Sequence, residues 1–281
     1  MVITTFDPWQ SSMCTCPPKY SFNPYTGCGH GCIYCYSTYI PRFHEERPKT
    51  NVLRQFEKGV MKLQAGALLS IANSSDPYTP LENKMRITRI CLEKLLNYNL
   101  RVLLITKGAI VTRDIDILKR LRVAVTISIT TIDPQKAKKL EPGAPSPAER
   151  LSAVRDLSRH GIPVGVRFDP ILPGLTEEDI PDIVGEIARA GATHVTSSTF
   201  KPRMDGWHRF VRAFPAIAKG LACYDWERVR GSYYLPHHTR YALMEKVSIA
   251  CQGEGLTFTS CREGFGEQTE SCDGSHLIPY V

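Results

Sequence analysis

The chain of 281 residues is 42% hydrophobic and 22% charged, enough apolar material to bury the core of one large α/β domain without disulfide support. No apolar run approaches the ~18 residues that span a bilayer, which excludes a helical membrane protein, and no charged start followed by an apolar stretch marks export. The ten cysteines are therefore expected in a reducing cytoplasm, and the net charge of +7 favours phosphate-bearing partners.

In chain order, an extended piece at Tyr20–Asn23 leads into Cys28-Gly-His-Gly-Cys32-Ile-Tyr-Cys35, a C-x3-C-x2-C run. Three thiolates at this spacing can hold three irons of a four-iron, four-sulfur cluster and leave the fourth iron open for chemistry. Zinc is the alternative, with His30 as fourth ligand, but His30 lies inside the loop between Cys28 and Cys32, where tetrahedral closure is awkward. Five apolar, β-branched runs follow, at 67–73, 101–106, 123–130, 163–169 and 193–198. Amphipathic stretches at 82–98, 113–121, 147–160 and 177–190 separate them, a pattern of parallel strands joined by crossover helices. Thr112, Ser146 and Thr176 are placed as helix starts, with Pro147 in the first helical position, and Gly161 and Gly191 as stops. With the early piece at Tyr20, six strands make a partial (β/α)6 barrel.

The rhythm fades after about Phe200. Residues 1–200 are expected to form the barrel core, and 201–281 a helical, Cys-rich extension covering its mouth. Basic residues from Arg203 to Arg230 interleave there with aromatics such as Trp207, Phe210 and Tyr234. An amphipathic helix with a solvated basic face is the favoured reading, and a nucleic-acid surface the other. Cys251, Cys261 and Cys272 lie in a Gly-rich tail, where an intracellular chain suggests metal before disulfide. A second iron–sulfur cluster is the preferred reading, with an open iron or with Cys14, Cys16 or His276 as fourth ligand; zinc and inert thiols are the alternatives.

In parallel barrels the reactive groups collect at the C-terminal ends of the strands, here Asn73 to Glu82, Thr106-Lys107-Gly108 and Ser128-Ile129-Thr130. The cysteine run resembles the signature of the radical S-adenosylmethionine (SAM) superfamily. The strand-end segments, with 140–146 and 170–174, resemble its spore photoproduct lyase-like branch from about Tyr20 to Ala192. The resemblance implies a [4Fe-4S] cluster on Cys28, Cys32 and Cys35, whose open iron takes the amino and carboxylate groups of SAM. It further implies that an electron from an external donor such as ferredoxin or flavodoxin cleaves the sulfonium to methionine and a deoxyadenosyl radical, which abstracts hydrogen from a substrate. Carried over by position, Tyr34 lies near the adenine and Lys107 pairs with the cofactor's carboxylate. Ser128 lies near its ribose or methionine portion, and Ser75 and Asp76 near its amino group. Spore photoproduct lyase carries a hydrogen-returning cysteine where this chain has Asn73, so thymine-dimer repair by that route is not expected. A nucleic-acid base or nucleotide is the favoured substrate, a peptide or small metabolite the alternative, and a non-enzymatic metal-binding nucleic-acid module the reading from another class. Glu141 and Arg150 read as a structural pair, and Arg167 points either into the lumen or at a helix.

Overall fold

The computed structural model describes residues 2–6, 13–229, 231–266 and 270–279; Arg230 of the basic stretch lies outside them. Its frame is an eight-stranded sheet whose neighbours follow chain order: β1 (Ile3–Thr5), β2 (Tyr20–Phe22), β3 (Leu68–Ile71), β4 (Arg101–Thr106), β5 (Arg122–Ser128), β6 (Val164–Ile171), β7 (His194–Thr199) and β8 (Thr257–Ser260). Only the β1–β2 pair is antiparallel; the other six pairs are parallel. The six strands expected from the sequence are β2 to β7, the wall of a partial barrel.

Side chains alternate across this wall with period two. Val102, Leu104, Val123, Val125, Ile127, Val166 and Phe168 face outward into the main apolar core, under the crossover helices. Leu68, Leu103 and Ala124 face inward and meet Ile278 of the C-terminal tail. That tail corrects one expectation. The Ser275 and Pro279 carbonyls accept from Arg101 and Arg122, the first residues of β4 and β5, so residues 275–279 lie at the strand-start end of the barrel and not over its mouth.

The βα rhythm also returns after Phe200. Helix His237–Gly253 buries Leu243, Met244, Val247 and Cys251 on one face and delivers β8 parallel to β7. β8 reads Thr-Phe-Thr-Ser and β1 Ile-Thr-Thr, too short and too polar to announce themselves, and pairing at a sheet edge decides them. The stretch 82–98 splits into helices Glu82–Met85 and Ile87–Leu95 because Arg86 takes a left-handed conformation, φ 52°. The buried Glu82 carboxylate then accepts from the Thr88 and Arg89 N–H groups (3.0 and 3.3 Å) at the start of the second helix. Ser146 and Glu149 form a reciprocal capping box at helix Pro147–Arg159, as its sequence requires. Thr176 instead accepts from the Leu172 N–H, and its helix starts at Ile180. Among the described residues no helix is long and apolar enough to cross a membrane.

His194, at the start of β7, is buried among the hydroxyls of Thr196, Thr257 and Thr259, with the His276 ring edge-on at 4.5 Å. Burial, and secondly His276, push its pKa down to about 3. Because the folded value lies below the unfolded one of about 6.5, the unfolded chain takes up the proton first as pH falls. Stability is therefore lost from about pH 6.5 downward, by up to about 1.4 kcal/mol per pH unit from this group. In urea titrations between pH 5 and 7, His194→Asn will show a flatter pH dependence than the parent chain; parallel curves would refute the assignment.

Candidate active site

The cysteine loop leaves the short strand Tyr25–Thr26 and is pinned by backbone contacts from three sides. Gly27 has φ 80°, and a Cβ there would lie 2.5 Å from the Phe43 carbonyl oxygen, to which the Cys28 N–H donates at 3.0 Å. The Gly29 N–H donates to Thr79 Oγ1 (3.0 Å) and Glu46 Oε2 (3.1 Å). From the other side Gly143 donates to the His30 carbonyl (2.9 Å), and a Cβ on Gly143 would stand 2.1 Å from the Gly29 carbonyl oxygen. The Ile33 N–H donates to the Leu140 carbonyl (2.9 Å), while Arg209 of helix Met204–Ala213 donates to the Ile33 and Cys35 carbonyls (3.0 Å each). Part of the C-terminal extension thus does sit beside the loop.

Cys28, Cys32 and Cys35 are all free thiols. Burial pushes the Cys32 and Cys35 thiols up, with Lys107 opposing the effect at both. Such thiols stay neutral until a cation is present to balance them, so the donor set fits cationic iron. Among the described residues no three His, Cys, Asp or Glu side chains are grouped closely enough to hold a single metal ion, whereas a cluster would distribute its thiolates over separate irons.

Lys107 leaves the end of β4 with lumen-facing parity. Its ammonium lies 5.5 Å from the centre of the Tyr34 ring, and among the described residues no carboxylate forms an ion pair with it within 4.0 Å. Burial pulls its pKa down, but Cys32 as a thiolate and the Glu141 carboxylate outweigh that and leave it raised. The Tyr34 hydroxyl pairs with Thr130 Oγ1 (3.0 Å) and donates to Glu141. Glu141 is locked in turn by Arg150, which also donates to the Ser128 carbonyl (3.0 Å). Ser128 is buried at the end of β5. One buried network therefore joins Tyr34, Ser128 and the helix start at Pro147.

The other two residues carried over by position are already engaged. Asp76 Oδ1 accepts from Thr106 Oγ1 (2.6 Å) and the Tyr78 N–H (2.9 Å); Oδ2 accepts from the Lys107 N–H (2.7 Å) and lies 3.4 Å from His30 Nδ1. Burial would raise its pKa, but His30 outweighs this and holds the carboxyl at about 2. In return, Asp76 overcomes the burial of His30 and holds that imidazole protonated, at about 10. Asp76 thereby ties the cysteine loop to the end of β4. The Ser75 hydroxyl donates to the Tyr25 carbonyl (2.7 Å). Asn73 spans Ser21 and Ser70 on the wall, and its carbonyl accepts from the Tyr36 hydroxyl (2.6 Å). Arg167 follows the parity of β6 into the lumen, where it bonds Asp169 at 2.8 Å and reaches Cys261.

The sequence reading missed His30 as the partner of Asp76, and Thr130 and Glu141 as the holders of Tyr34. The Leu140–Ser146 segment was a signal for Glu141; nothing local marked His30 in this role. The C-terminal cysteines separate. Cys251 is buried in the main core, where burial alone pushes its thiol up to about 12. Cys261 and Cys272 meet each other and are joined by Cys14 and Cys16.

Comparison with known proteins agrees with this geometry. The sequence model of the Radical SAM superfamily matches residues 22–187. An uncharacterised protein of Mycobacterium bovis is 27% identical over 256 residues, 83% of this chain and 73% of that one. A radical SAM Nα-GlyT isomerase of Pseudomonas phage M6 is 26% identical over 179 residues, 61% of this chain but 37% of the phage protein. A spore photoproduct lyase variant solved with bound AdoMet and dinucleoside spore photoproduct superposes with a TM-score of 0.70 at 19% identity, covering 88% of this chain and 76% of that one, a likeness of fold. The family match spans more than half of the chain and takes in both the three-cysteine loop and Lys107, so the chain belongs to the radical SAM superfamily and is a radical SAM enzyme.

Proposed function

We propose that Cys28, Cys32 and Cys35 hold the [4Fe-4S] cluster, that Lys107 and Tyr34 receive SAM beside it, and that the substrate is a nucleic-acid base or nucleotide. When bound, cluster and SAM together supply a carbon radical able to abstract hydrogen. The chain's residues hold the reactants in place. The observation that carries the reading is Lys107, a charged ammonium with no carboxylate within ion-pair distance among the described residues, facing Cys32 and the Tyr34 ring. A cation in that position is matched to a ligand carboxylate. Ser128, at the next strand end, adds a hydroxyl on the same lumen side. Ser75 and Asp76 support the site by fixing the loop and the Lys107 backbone, since their own bonds are made within the protein. The Glu141–Arg150 pair positions the Tyr34 hydroxyl.

Three features support the substrate class: the net charge of +7, the aromatic and basic helix Met204–Ala213 beside the loop, and the dinucleoside held by the lyase of similar fold. An external one-electron donor such as ferredoxin or flavodoxin completes the system.

Anaerobically reconstituted protein with dithionite will release deoxyadenosine from SAM. Lys107→Met will weaken SAM binding roughly 10- to 100-fold, the worth of one hydrogen bond to a charged group, while keeping its iron. Equilibrium binding to the reconstituted chain measures this, and an unchanged Kd would remove Lys107 from the site. Binding to oligonucleotides should fall steeply with salt. Absence of binding at low salt would point to a small ligand.

A further inference from the structure

We propose that Cys14, Cys16, Cys261 and Cys272 form a second metal site, a four-thiolate cage for one tetrahedral ion of the zinc class, which ties the two edges of the partial barrel together. The site is separate from the cysteine loop and stands or falls independently of the chemistry proposed there. Cys14 and Cys16 lie between β1 and β2, at one edge of the sheet; Cys261 directly follows β8, at the other. Continuing the parity of Thr257 and Thr259, Cys261 faces the lumen, its N–H held by the Ser197 carbonyl at 2.8 Å. Cys272 arrives on the tail that fills the strand-start end of the barrel. Its Sγ lies 3.4 Å from Cys16 Sγ; Cys14 interacts with both, and Cys261 with Cys272. None of the four is in a disulfide. Cysteines that only fill space in this protein, Cys91 and Cys251, pack among aliphatic side chains.

Two cations lie beside the thiols, each already paired with a carboxylate, Lys19 with Asp273 and Arg167 with Asp169. Lys19, three residues after Cys16, pairs with Asp273 beside Cys272, both side chains almost fully buried. Arg167 reaches Cys261. The tail is braced where it carries Cys272: Asp273 Oδ1 accepts from the Ser275 N–H (2.9 Å), and Thr126 Oγ1 donates to the Asp273 carbonyl (3.2 Å). The spacing of Cys16 and Cys272 is compatible with one ion. A tetrahedron with metal–sulfur bonds of about 2.3 Å sets its sulfurs about 3.8 Å apart, close to the 3.4 Å between Cys16 and Cys272, whereas ligands to separate irons stand further apart. Among the described residues no three such side chains are placed to hold one ion, so binding would require the four thiols to rearrange around it. Cys16 and Cys272 are 256 residues apart, so such a clip closes a very long loop and constrains the unfolded chain strongly.

The test is metal analysis of the intact chain, with acid-labile sulfide, in three forms. Wild type should carry zinc besides its iron. Cys28→Ala/Cys32→Ala/Cys35→Ala should lose the iron and keep about one zinc per chain, while Cys14→Ser/Cys16→Ser should lose the zinc and keep about four irons. A variant-independent reading comes from alkylation mapped by mass spectrometry. Exposed Cys223 should react at once, and the four thiols only after a chelator is added. Iron with sulfide persisting in the triple variant would overturn the single-ion site in favour of a cluster. A metal-free triple variant with freely reactive thiols, or a Cys16–Cys272 disulfide, would overturn the site altogether.

Discussion

Replacing Cys32 with alanine will reduce deoxyadenosine formation to the background without enzyme and strip the loop of its iron. Cys32 is the thiol that faces Lys107, and the loop around it is held by backbone hydrogen bonds that the substitution leaves intact. Two thiolates cannot hold three irons of a cubane, so cluster occupancy and cofactor cleavage should fail together while the fold persists. Iron and sulfide per chain, product chromatography and far-ultraviolet circular dichroism on the same sample check the three parts. Normal iron content with full cleavage would mean that the cluster lies elsewhere.

Arg150→Met will destabilise the protein by about 3–5 kcal/mol, because it leaves the Glu141 carboxylate buried without its counter-charge. Arg150 is 1% and Glu141 2% exposed, so water cannot take over. The guanidinium also donates to the Pro145 (2.8 Å) and Ser128 (3.0 Å) carbonyls, whose bonds are lost with it. Arg150→Met combined with Glu141→Gln should recover a good part of the loss, since the stranded charge is gone. Urea unfolding midpoints of the parent chain, Arg150→Met, Glu141→Gln and the double variant measure this. A single-variant loss below about 1 kcal/mol would show that the pair is not the keystone of this network. SAM binding should weaken in the single variant as well, because Glu141 positions Tyr34.

Much of the wall of the barrel was legible in the chain. Runs such as Arg101–Thr106 are apolar on both faces, as strands covered by helices must be, and Ser146-Pro147 followed by Glu149 specifies a helix start by local bonds alone. The three-cysteine loop was legible because its cysteines lie within eight residues. Less legible were elements whose stability comes from distant partners. β8 is a strand because β7 offers it a paired edge, and Arg86 breaks a helical pattern because Glu82 caps the helix beyond it. Asp76 was expected beside a ligand amine, but its oxygens are engaged with Thr106, Tyr78, Lys107 and His30. No spacing in the sequence shows that partner set.

By itself, the sequence determined the strand-and-helix alternation of residues 67–198, the cluster-type spacing of Cys28, Cys32 and Cys35, and the placing of Lys107 at a strand end. Each depends on interactions within a few residues or on a period that recurs along the chain. Tertiary structure decided which way Arg167 points, that Cys251 is a core residue, and that Cys14 and Cys16 meet Cys261 and Cys272. It also decided that residues 275–279 lie at the base of the barrel and not over its mouth. These outcomes depend on contacts between segments up to 256 residues apart, which form only once the sheet has brought its edges and the tail together.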